Sequence, residues 1–468
     1  MSKKTNLVYV FGDQLRYSAC GYTGDVNART PNIDKLAAQS KNFAGAVSGH
    51  PVCAPYRASL LTGKYTTSTG MVINEIRLNP SHRSFAHVLS ENGYRTAYIG
   101  KWHMWANEWG AHDDPKNSFI PKGENRLGFD DVFKAFNFHH EYNDMYYHLD
   151  TSDKVTIKGY EPDGQTQICM DTIEEFHKSE KPFSIFLSIG TPHDPWEDWN
   201  VPQKYLDMFK DTKFSLPPNY KPDNDPYADD WAKLNEDERK ELTRWMKVYY
   251  AMVANLDENI GKIMQKIDDL GIAEDTIFVF TSDHGEMFGA QGRRAKNIFY
   301  DEAVRVPFLM KWQGHIDKAT RTDVPFNTVD IMPTLLSMMD LPIPEAVEGT
   351  NLAGAALGNS AYNKASFMQG TGATAKWEDG HEWRGVRSDR YTYAKFLSDG
   401  KEFLFDNAVD PYQMTNLIDS PAHKTEQDDL KQFMSDKMAE IGDKFRPSTW
   451  YEKNWTNDRK IFADITDG

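Results

Sequence analysis

A short stretch near the start of the chain combines a thiol and a guanidinium group at a spacing that suits catalysis. Residues 50–63 hold Cys53, Pro55 and Arg57 and end in Gly63. Because proline favours the first turn of a helix and glycine the position after its last turn, the pattern predicts a helix beginning at or just after Cys53. A helix N-terminus attracts anions, and Arg57, one turn further on, can bind a tetrahedral oxyanion. The stretch therefore predicts a nucleophile beside an anion site, which suits attack on a sulfate or phosphate ester.

Cysteine usage leaves a plainer interpretation open. An isolated free cysteine is more often a small buried residue than a nucleophile. The chain has three cysteines, Cys20, Cys53 and Cys169, which do not suggest a disulfide framework. We expect Cys20 and Cys169 to be buried or inert, and the case for Cys53 depends on the residues around it.

Further polar residues follow the ends of predicted strands. Apolar runs that are typical of buried strands occupy residues 7–11, 96–99, 183–189, 276–281 and 306–310. Four of these runs are followed closely by polar side chains, namely Asp13 and Gln14, Lys101 and His103, His193, and Asp283 and His284. In open α/β sheets ligands bind beyond the carboxyl ends of the strands, so we expect these side chains to meet at one rim. Any one of them alone would be unremarkable in a solvated loop.

Helical patterns lie between the strands, most clearly from Leu242 to Ile267, and another helix is predicted to begin at Thr30-Pro31. This alternation predicts an α/β fold for residues 1–360, with a large mixed, mostly parallel sheet sandwiched by helices. Residues 361–468 differ: alternating runs at 383–390, 391–396 and 402–406 precede a helical pattern at 425–441. They predict a smaller C-terminal α+β domain with an antiparallel sheet. Two domains also suit a chain of 468 residues.

Two segments have the composition of long insertions. Residues 102–148 are rich in Trp, His, Tyr and Asn, and residues 194–232 in Pro, Asp, Asn and Trp. Long loops in a compact domain are usually lids or binding loops, and aromatic faces beside polar groups suit a sugar. Most of these aromatic residues are nevertheless expected to pack inside the insertions themselves.

Charge and composition exclude several classes of function. The net charge of −16 argues against a nucleic-acid partner, and an anionic substrate would need local cations at the site. No apolar run reaches the length of a membrane span. The apolar run after the N-terminus is too short for a signal-peptide core. We expect a cytoplasmic protein as the chain stands, or a periplasmic or secreted one if a targeting segment has been removed.

The pairs Asp13-Gln14 and Asp283-His284 are candidate metal ligands. Oxygen-rich ligation of this kind suits a hard divalent cation, calcium ahead of magnesium, although a histidine nitrogen is less typical. An Asp-His pair is weak evidence alone, and its position after an apolar strand strengthens it.

The run Cys53-Ala54-Pro55-Tyr56-Arg57, with Leu61-Thr62-Gly63, resembles the signature of the type I sulfatases. The resemblance continues through Gly100-Lys101-Trp102-His103, Pro192-His193 and Lys296. In that family a maturation enzyme oxidises the cysteine to formylglycine, and the fold is alkaline phosphatase-like. Many members have Ser, Asp and Asn where this chain has Tyr56, Gln14 and His284.

The resemblance implies a role for each matching residue. Asp13, Gln14, Asp283 and His284 would bind calcium together with residue 53. Arg57, Lys101, His103 and Lys296 would hold sulfate oxygens. His193 would protonate the leaving alcohol, while hydrated formylglycine would attack sulfur and then expel sulfate.

Three functions follow as hypotheses. The chain looks like bacterial glycan sulfatases, so the leading hypothesis is an enzyme that removes sulfate from a sulfated mono- or oligosaccharide. The alternative is a phosphonate monoester or phosphodiester hydrolase of the same superfamily, because sulfur and phosphorus esters are nearly isosteric. The third is a non-catalytic glycan-binding protein in which Cys53 stays unmodified.

Overall fold

The computed structural model describes residues 4–106, 108–316, 319–359 and 362–463. The predicted domain boundary between residues 360 and 361 lies outside these ranges, and the division into two domains stays a prediction. Strands within the described residues are β1 (Asn6–Gly12), β2 (Lys41–Phe43), β3 (Ala46–Val47), β4 (Arg95–Lys101), β5 (Val132–Phe136), β6 (Tyr146–Tyr147), β7 (Val155–Thr156), β8 (Phe183–Ile189), β9 (Thr276–Ser282), β10 (Phe308–Lys311), β11 (Thr320–Thr322), β12 (Phe326–Asn327), β13 (Ser366–Gly370), β14 (Trp383–Arg387), β15 (Tyr391–Phe396), β16 (Glu402–Asp406), β17 (Thr456–Asn457) and β18 (Lys460–Ile461).

The α-helices are distributed between these strands and after the last long one. They are α1 (Pro31–Ala37), α2 (Cys53–Thr62), α3 (Thr66–Thr69), α4 (Phe85–Glu91), α5 (Pro115–Ser118), α6 (Glu161–Lys178), α7 (Gln203–Asp207), α8 (Glu236–Asp269), α9 (Asp301–Val304), α10 (Thr328–Met338), α11 (Ala353–Ala356), α12 (Lys424–Glu440) and α13 (Ser448–Trp455). No helix of the described residues has both the length and the apolar character that a bilayer crossing demands.

The main sheet has eight strands in the order β11-β2-β10-β9-β1-β8-β4-β5. Only β10 runs against the others, since it pairs antiparallel with both β9 and β2 while the remaining neighbours are parallel. The prediction of a mixed, mostly parallel sheet is confirmed. The predicted strand at 306–310 begins instead at Phe308, because Pro307 has no N–H to donate to the ladder.

Alternating side chains of β1 divide the core between the two faces of the sheet. Leu7, Tyr9 and Phe11 join a hydrophobic cluster that contains residues of α2, α4 and α10. Val8 and Val10 join a second cluster with residues of α1, α6 and α8. Helices therefore cover both faces of the sheet, as the all-apolar sequence of β1 predicts.

The long helix α8 confirms the predicted amphipathic pattern from Leu242 to Ile267 and starts six residues earlier, at Glu236. Asn235 caps it by accepting from the N–H groups of Asp237 and Glu238.

Helix α1 begins at Pro31 as predicted, but Thr30 does not cap it, since its hydroxyl accepts from Gly21 N–H. Asp257 of α8 instead accepts from the N–H groups of Asn32 and Ile33.

One strand of the main sheet lies inside a segment predicted to be an insertion. Residues 102–148 contain β5, which pairs with β4 at the edge of the sheet. The run is only five residues long and is interrupted by Lys134, so its apolar pattern is weak. β5 is the last strand in the order of the main sheet, and on its outer side His148 N–H donates to Ala135 O at 2.8 Å in an isolated bridge. This partly covered edge position suits a strand with a weak apolar pattern.

A second, antiparallel sheet has the order β13-β14-β15-β16, which confirms the antiparallel prediction. β14 ends at Arg387, earlier than predicted, because Ser388 Oγ accepts from the N–H groups of Arg390 and Tyr391 and forms a turn. Trp383 and Phe396 of this sheet share a hydrophobic cluster with Met287 and Phe299, which follow β9. The small sheet thus packs beside the end of the main sheet where β9 finishes.

The end of the described chain returns to the main lobe. β17 and β18 form a hairpin that is bonded to Arg77, a residue outside it. Arg77 N–H donates to Arg459 O at 2.7 Å, and Ile461 N–H donates to Arg77 O at 3.0 Å. Ile461 also belongs to the cluster under α2 and α4. The hairpin therefore lies against the loop that follows α3.

Candidate active site

Cys53 is the first residue of α2, as the sequence predicts. Its neighbour Ala54 donates an N–H group to Asn74 Oδ1 at 2.9 Å, which satisfies one donor of the helix end. Pro55 occupies the third helical position, where no intrahelical N–H bond is lost. Gly63 ends the helix with a φ of +66°, a conformation that glycine adopts without strain.

Four elements deliver polar side chains to the same rim of the main sheet. Asp13 and Gln14 follow β1, Lys101 ends β4, His193 follows β8, and Asp283 and His284 follow β9. Single ligand atoms of Asp13, Cys53, Asp283 and His284 all lie within 4.8 Å of one another, and all four residues are buried. The structure thus brings together the residues expected at the strand ends.

The cluster suits a divalent cation. Asp13 Oδ2 accepts hydrogen bonds from Lys101 Nζ at 2.6 Å and from Arg57 Nη2 at 3.1 Å. The other oxygen of Asp13, Oδ1, lies 3.6 Å from Cys53 Sγ. His284 Nδ1 lies 3.0 Å from the Gly285 carbonyl oxygen. If Nδ1 carries the proton for this bond, the lone pair of Nε2 remains available to a metal ion. Two carboxylates and one imidazole therefore offer ligand atoms to a common point.

Gln14 lies next to this cluster and joins it to Lys296. Its side-chain oxygen accepts from Lys296 Nζ at 2.9 Å, and its side-chain nitrogen donates to Glu286 Oε2 at 2.7 Å. The residue has a φ of +70°, in the left-handed region that non-glycine residues rarely adopt. This conformation and the two hydrogen bonds hold the Gln14 amide beside the thiol.

Positive charge surrounds the thiol. Lys296 Nζ lies 3.3 Å from Cys53 Sγ, and its side chain is buried. Burial lowers the pKa of Lys296, but the neighbouring Cys53, Asp13 and Asp283 outweigh it and raise the pKa above its ordinary value. Burial likewise raises the pKa of Asp13, yet Lys101, His193 and other nearby cations hold that pKa well below its usual range. The site keeps its charges because they are paired.

The predicted site residues lie at two depths. Cys53, Gln14, His193 and Lys296 line a cavity, whereas Arg57, Lys101 and His103 lie behind its lining. Arg57 Nη1 donates to Ser188 Oγ and to the Lys101 carbonyl oxygen, both at 2.6 Å. His103 Nε2 lies 3.1 Å from Glu75 Oε1, while its Nδ1 is buried with no hydrogen-bond partner among the described residues.

Three neighbours of these residues were not predicted as site residues. His140 Nε2 lies 2.8 Å from Lys101 Nζ, and its ring centroid lies 3.7 Å from that of His193. Asp194 Oδ1 lies 3.1 Å from His193 Nδ1, and Glu75 pairs with His103. The aromatic segment 102–148 was a signal for His140, but nothing in the local sequence distinguishes Glu75.

The cavity has a volume of about 290 Å³ and opens above Cys53. Aromatic side chains from both predicted insertions contribute to it, namely Trp109, Phe138 and Trp231. Thr374 also lines the cavity and is held by Asp229, which accepts from its hydroxyl at 2.7 Å. A volume of this size lies at the small end of the range for ligand pockets, ~300–1,000 Å³.

Comparisons with known proteins identify the family to which the chain belongs. The profile of the family described as Sulfatase matches residues 5–341, and that of the N-sulphoglucosamine sulphohydrolase C-terminal region matches residues 289–440. An ulvan-active sulfatase from Formosa agariphila is 38% identical over 458 residues, covering 97% of this chain and 84% of that protein. An endo-4-O-sulfatase from Bacteroides thetaiotaomicron is 29% identical over 510 residues, covering 97% and 94%.

A solved structure supports the same conclusion. The Bacteroides thetaiotaomicron protein BT33494S-sulf, from a study of glycosaminoglycan metabolism, has a TM-score of 0.80 and 26% identity, covering 96% of this chain and 98% of that one. The resemblance found in the sequence and the expected fold are confirmed, and membership of an enzyme family argues against a purely glycan-binding role. The chain belongs to the type I sulfatase family and is a sulfatase, a sulfuric ester hydrolase with the alkaline phosphatase-like fold.

Proposed function

We propose that this sulfatase removes O-sulfate from a carbohydrate and that residue 53, matured from cysteine to formylglycine, is its nucleophile. The observation that carries the proposal is the position of Cys53, which begins α2 at the base of a cavity with Lys296 Nζ 3.3 Å from its sulfur. The named activities of the two relatives, on ulvan and as an endo-4-O-sulfatase, support a sulfated carbohydrate as substrate.

Asp13, Asp283, His284 and residue 53 would hold the metal ion, with Gln14 beside them, and calcium is our first choice because carboxylate oxygens are hard ligands. The bound ion would supply positive charge that lowers the pKa of a hydroxyl on residue 53. A hydrated formylglycine would offer two hydroxyls, one to attack sulfur and one to re-form the aldehyde as sulfate leaves, which a thiol cannot do.

The protein's own side chains would stabilise charge on the sulfate. Lys296 lines the cavity beside Cys53, and Lys101 and Arg57 lie behind it with their charges directed at Asp13. His103 lies behind the lining, and its Nδ1 would donate to a sulfate oxygen in the tautomer in which Nδ1 carries the ring proton and Nε2 accepts a proton from Glu75. Such preorganised donors act more strongly in a buried site than in water.

His193 would protonate the departing sugar oxygen as the bond from sulfur to that oxygen breaks. Its ring lines the cavity, with Nδ1 directed at Asp194 and Nε2 at Lys296 Nζ. A sugar alkoxide is a poor leaving group, so a proton donor at this position would contribute ~10²–10⁴-fold to the rate.

Sulfate release from a panel of substrates tests the proposal. The protein should be produced with a formylglycine-maturation enzyme, and intact-mass measurement should show the aldehyde in place of the Cys53 thiol. We expect release from sulfated hexoses, hexosamines or their oligosaccharides, and lower rates on phosphodiesters and phosphonate monoesters. Activity confined to aryl sulfates, or faster phosphoester cleavage, would contradict the substrate class.

A further inference from the structure

The wall of the cavity away from Cys53 lacks permanent positive charge. Beyond the thiol and Lys296, the polar residues of the lining are Gln14, Asn74, Glu75, His112, His140, His193, Asp194 and Thr374. Among the described residues, no arginine and no lysine other than Lys296 lines this cavity. Lys296 lies beside Cys53, so its charge is at the end of the cavity where the sulfate group would bind. His193, 2.8 Å from Lys296 Nζ, belongs to the same end, where the bond to sulfur would break. The remaining part, which would face the sugar ring, is therefore built from neutral donors and acceptors and from carboxyl groups.

Glu75 is fixed in this wall by contacts on several sides. Its side chain is buried, with Oε1 3.1 Å from His103 Nε2 and Oε2 3.8 Å from His112 Nδ1. The preceding residue, Asn74, is bonded to Ala54 at the start of α2, which places Glu75 close to the nucleophile end of that helix. Glu75 also has a φ of +62°, an uncommon conformation for a non-glycine residue.

The hairpin of β17 and β18 contacts the backbone of Glu75 on the side away from the cavity. Arg459 donates from Nε to the Glu75 carbonyl oxygen, and its guanidinium lies 5.8 Å from the ring centroid of Trp109. Arg459 is not part of the cavity lining, so its charge is separated from the sugar by the residues it supports. The carboxyl group of Glu75 is thus a rigid feature of the wall.

The charge state of the wall favours hydroxyl groups over carboxylates. Burial raises the pKa of Glu75 to about 7, although Arg459 and Lys101 oppose the shift. Burial lowers the pKa of His112 and His140, so neither ring supplies a charge at neutral pH. A carboxylate on the sugar would be desolvated here without a cationic partner, whereas a hydroxyl can donate to Glu75. The exposed ring faces of Trp109 and Trp231 suit the apolar face of a neutral pyranose.

We infer that this cavity selects a sulfated sugar that has no carboxylate, and that Glu75 determines this specificity by accepting a hydrogen bond from a ring hydroxyl. The inference rests on the proposed carbohydrate sulfatase function and narrows its substrate class to neutral sugars. Uronic acids sulfated at the same ring position should be rejected at the cavity wall.

Binding to a catalytically inactive variant tests the inference without requiring turnover. Cys53→Ala should be titrated by calorimetry with two matched pairs, glucose 2-sulfate against glucuronic acid 2-sulfate and glucose 3-sulfate against glucuronic acid 3-sulfate. The members of each pair differ only in the CH₂OH or carboxylate at C5. We expect the neutral member of at least one pair to bind at least tenfold more tightly than its uronate.

A second variant assigns the selectivity to Glu75. Adding Glu75→Gln should reduce the neutral-to-uronate affinity ratio at least threefold, whereas adding Glu197→Gln, at a partly exposed carboxyl paired with Arg244, should leave the ratio unchanged. Equal or tighter uronate binding, no measurable binding of any of the four sugars, or an unchanged ratio in Glu75→Gln would overturn the inference.

The matured enzyme separates the inference from the function on which it rests. If the enzyme released sulfate from uronate sulfates as fast as from neutral sugar sulfates, the inferred specificity would be wrong. The proposed carbohydrate sulfatase activity would still be correct. If no saccharide released sulfate but the binding ratio were as expected, the proposed function would be wrong. The inferred selectivity of the cavity would still be correct.

Discussion

Lys296 Nζ and His193 Nε2 lie 2.8 Å apart, and both side chains are buried beside Cys53. Burial and the charge of Lys296 lower the pKa of His193, but Asp194 and Asp13 raise it by more, so the net shift is upward. The two carboxylates stabilise the His193 imidazolium, and the charge of Lys296 destabilises it. Lys296 thus makes His193 a stronger acid than it would be beside the carboxylates alone. In the proposed reaction, Lys296 would hold a sulfate oxygen and His193 would carry the proton for the leaving group.

His193→Ala separates these two roles. We expect a loss of ~10²–10⁴-fold in kcat/KM on a sulfated saccharide and a much smaller loss on a nitrophenyl sulfate, because a phenolate leaves without protonation. Steady-state kinetics on both substrates measure the difference. Equal losses on the two would assign His193 to sulfate binding alone, and Lys296→Ala should then be compared in the same way.

Cys53→Ala should abolish turnover while the fold persists. The change removes a small side chain at the start of α2 and should lower the free energy of unfolding by about 1 kcal/mol. Thermal unfolding and sulfate release measure the two effects. Cys169→Ala in α6 is the matched control, since that thiol is equally buried but lies outside the active-site cavity. Activity retained by Cys53→Ala would contradict the nucleophile assignment.

Metal removal should lower both activity and stability. A ligand that binds only the folded state stabilises it by ~2.7 kcal/mol at a hundredfold excess over Kd. We therefore expect chelation to lower the Tm, and calcium to restore it at lower concentration than magnesium. Asp283→Asn should lose most of the calcium-dependent shift in Tm. A Tm that responds to neither chelator nor calcium would contradict a metal site at Asp13, Cys53, Asp283 and His284.

Local sequence was sufficient for the elements whose ends are marked by particular residues. Pro55 and Gly63 bound the helix that carries Cys53, and apolar runs locate β1, β4, β8 and β9 together with the polar residues after them. These predictions succeed because buried parallel strands need continuous apolar sequence and ligands lie at their carboxyl ends.

The remaining features depend on contacts between distant parts of the chain. β5 is a short edge strand, and its pairing with β4 cannot be deduced from five residues. Glu75 becomes a site residue only through His103 and through Arg459, which comes from the C-terminal hairpin. Thr30 satisfies the usual pattern for a helix cap, yet Asp257 from α8 takes that role. Such long-range contacts leave no periodic trace in the sequence.

Asp257 should make stability depend on pH in the acid range. Burial raises its pKa to about 6, while hydrogen bonds from Ile33 and Asn32 oppose the shift. Between about pH 4 and 6 the folded state retains a proton that the unfolded state has lost, so its contribution to the free energy of unfolding falls as pH rises. Asp257→Asn cannot ionise, and its stability relative to wild type should therefore increase by about 2 kcal/mol from pH 4.5 to 7.

Urea unfolding of both proteins at the two pH values measures this difference. Asp268→Asn, an exposed change on the same helix, is the control and should alter the free energy of unfolding by less than about 0.5 kcal/mol. A relative stability of Asp257→Asn that decreases with pH would show that Asp257 is ionised and stabilised by its partners in the folded state.

The buried ion pair of Arg384 and Asp443 should be important for the second sheet. Asp443 Oδ1 accepts from Arg384 Nη2 at 2.9 Å, and both side chains are completely buried. Asp443→Ala would leave the guanidinium without its counter-charge and should cost ~3–5 kcal/mol. Asp428→Ala in the exposed pair with Lys424 should cost less than ~1 kcal/mol. Similar small effects in both variants, measured by urea unfolding, would contradict a structural role for the buried pair.

The position of β1 also determines when Cys53 becomes sheltered during synthesis. β1 lies between β8 and β9, so the strand nearest the site gains both neighbours only after a ribosome has made residue 282. In the folded protein Cys53 is 1% exposed, with its sulfur against Lys296 and His284. A sheet that depends on such distant pairings forms slowly, which leaves the thiol accessible in the nascent chain. Under the proposed maturation of Cys53, conditions that speed folding relative to oxidation of the thiol would consequently yield well-folded but inactive protein.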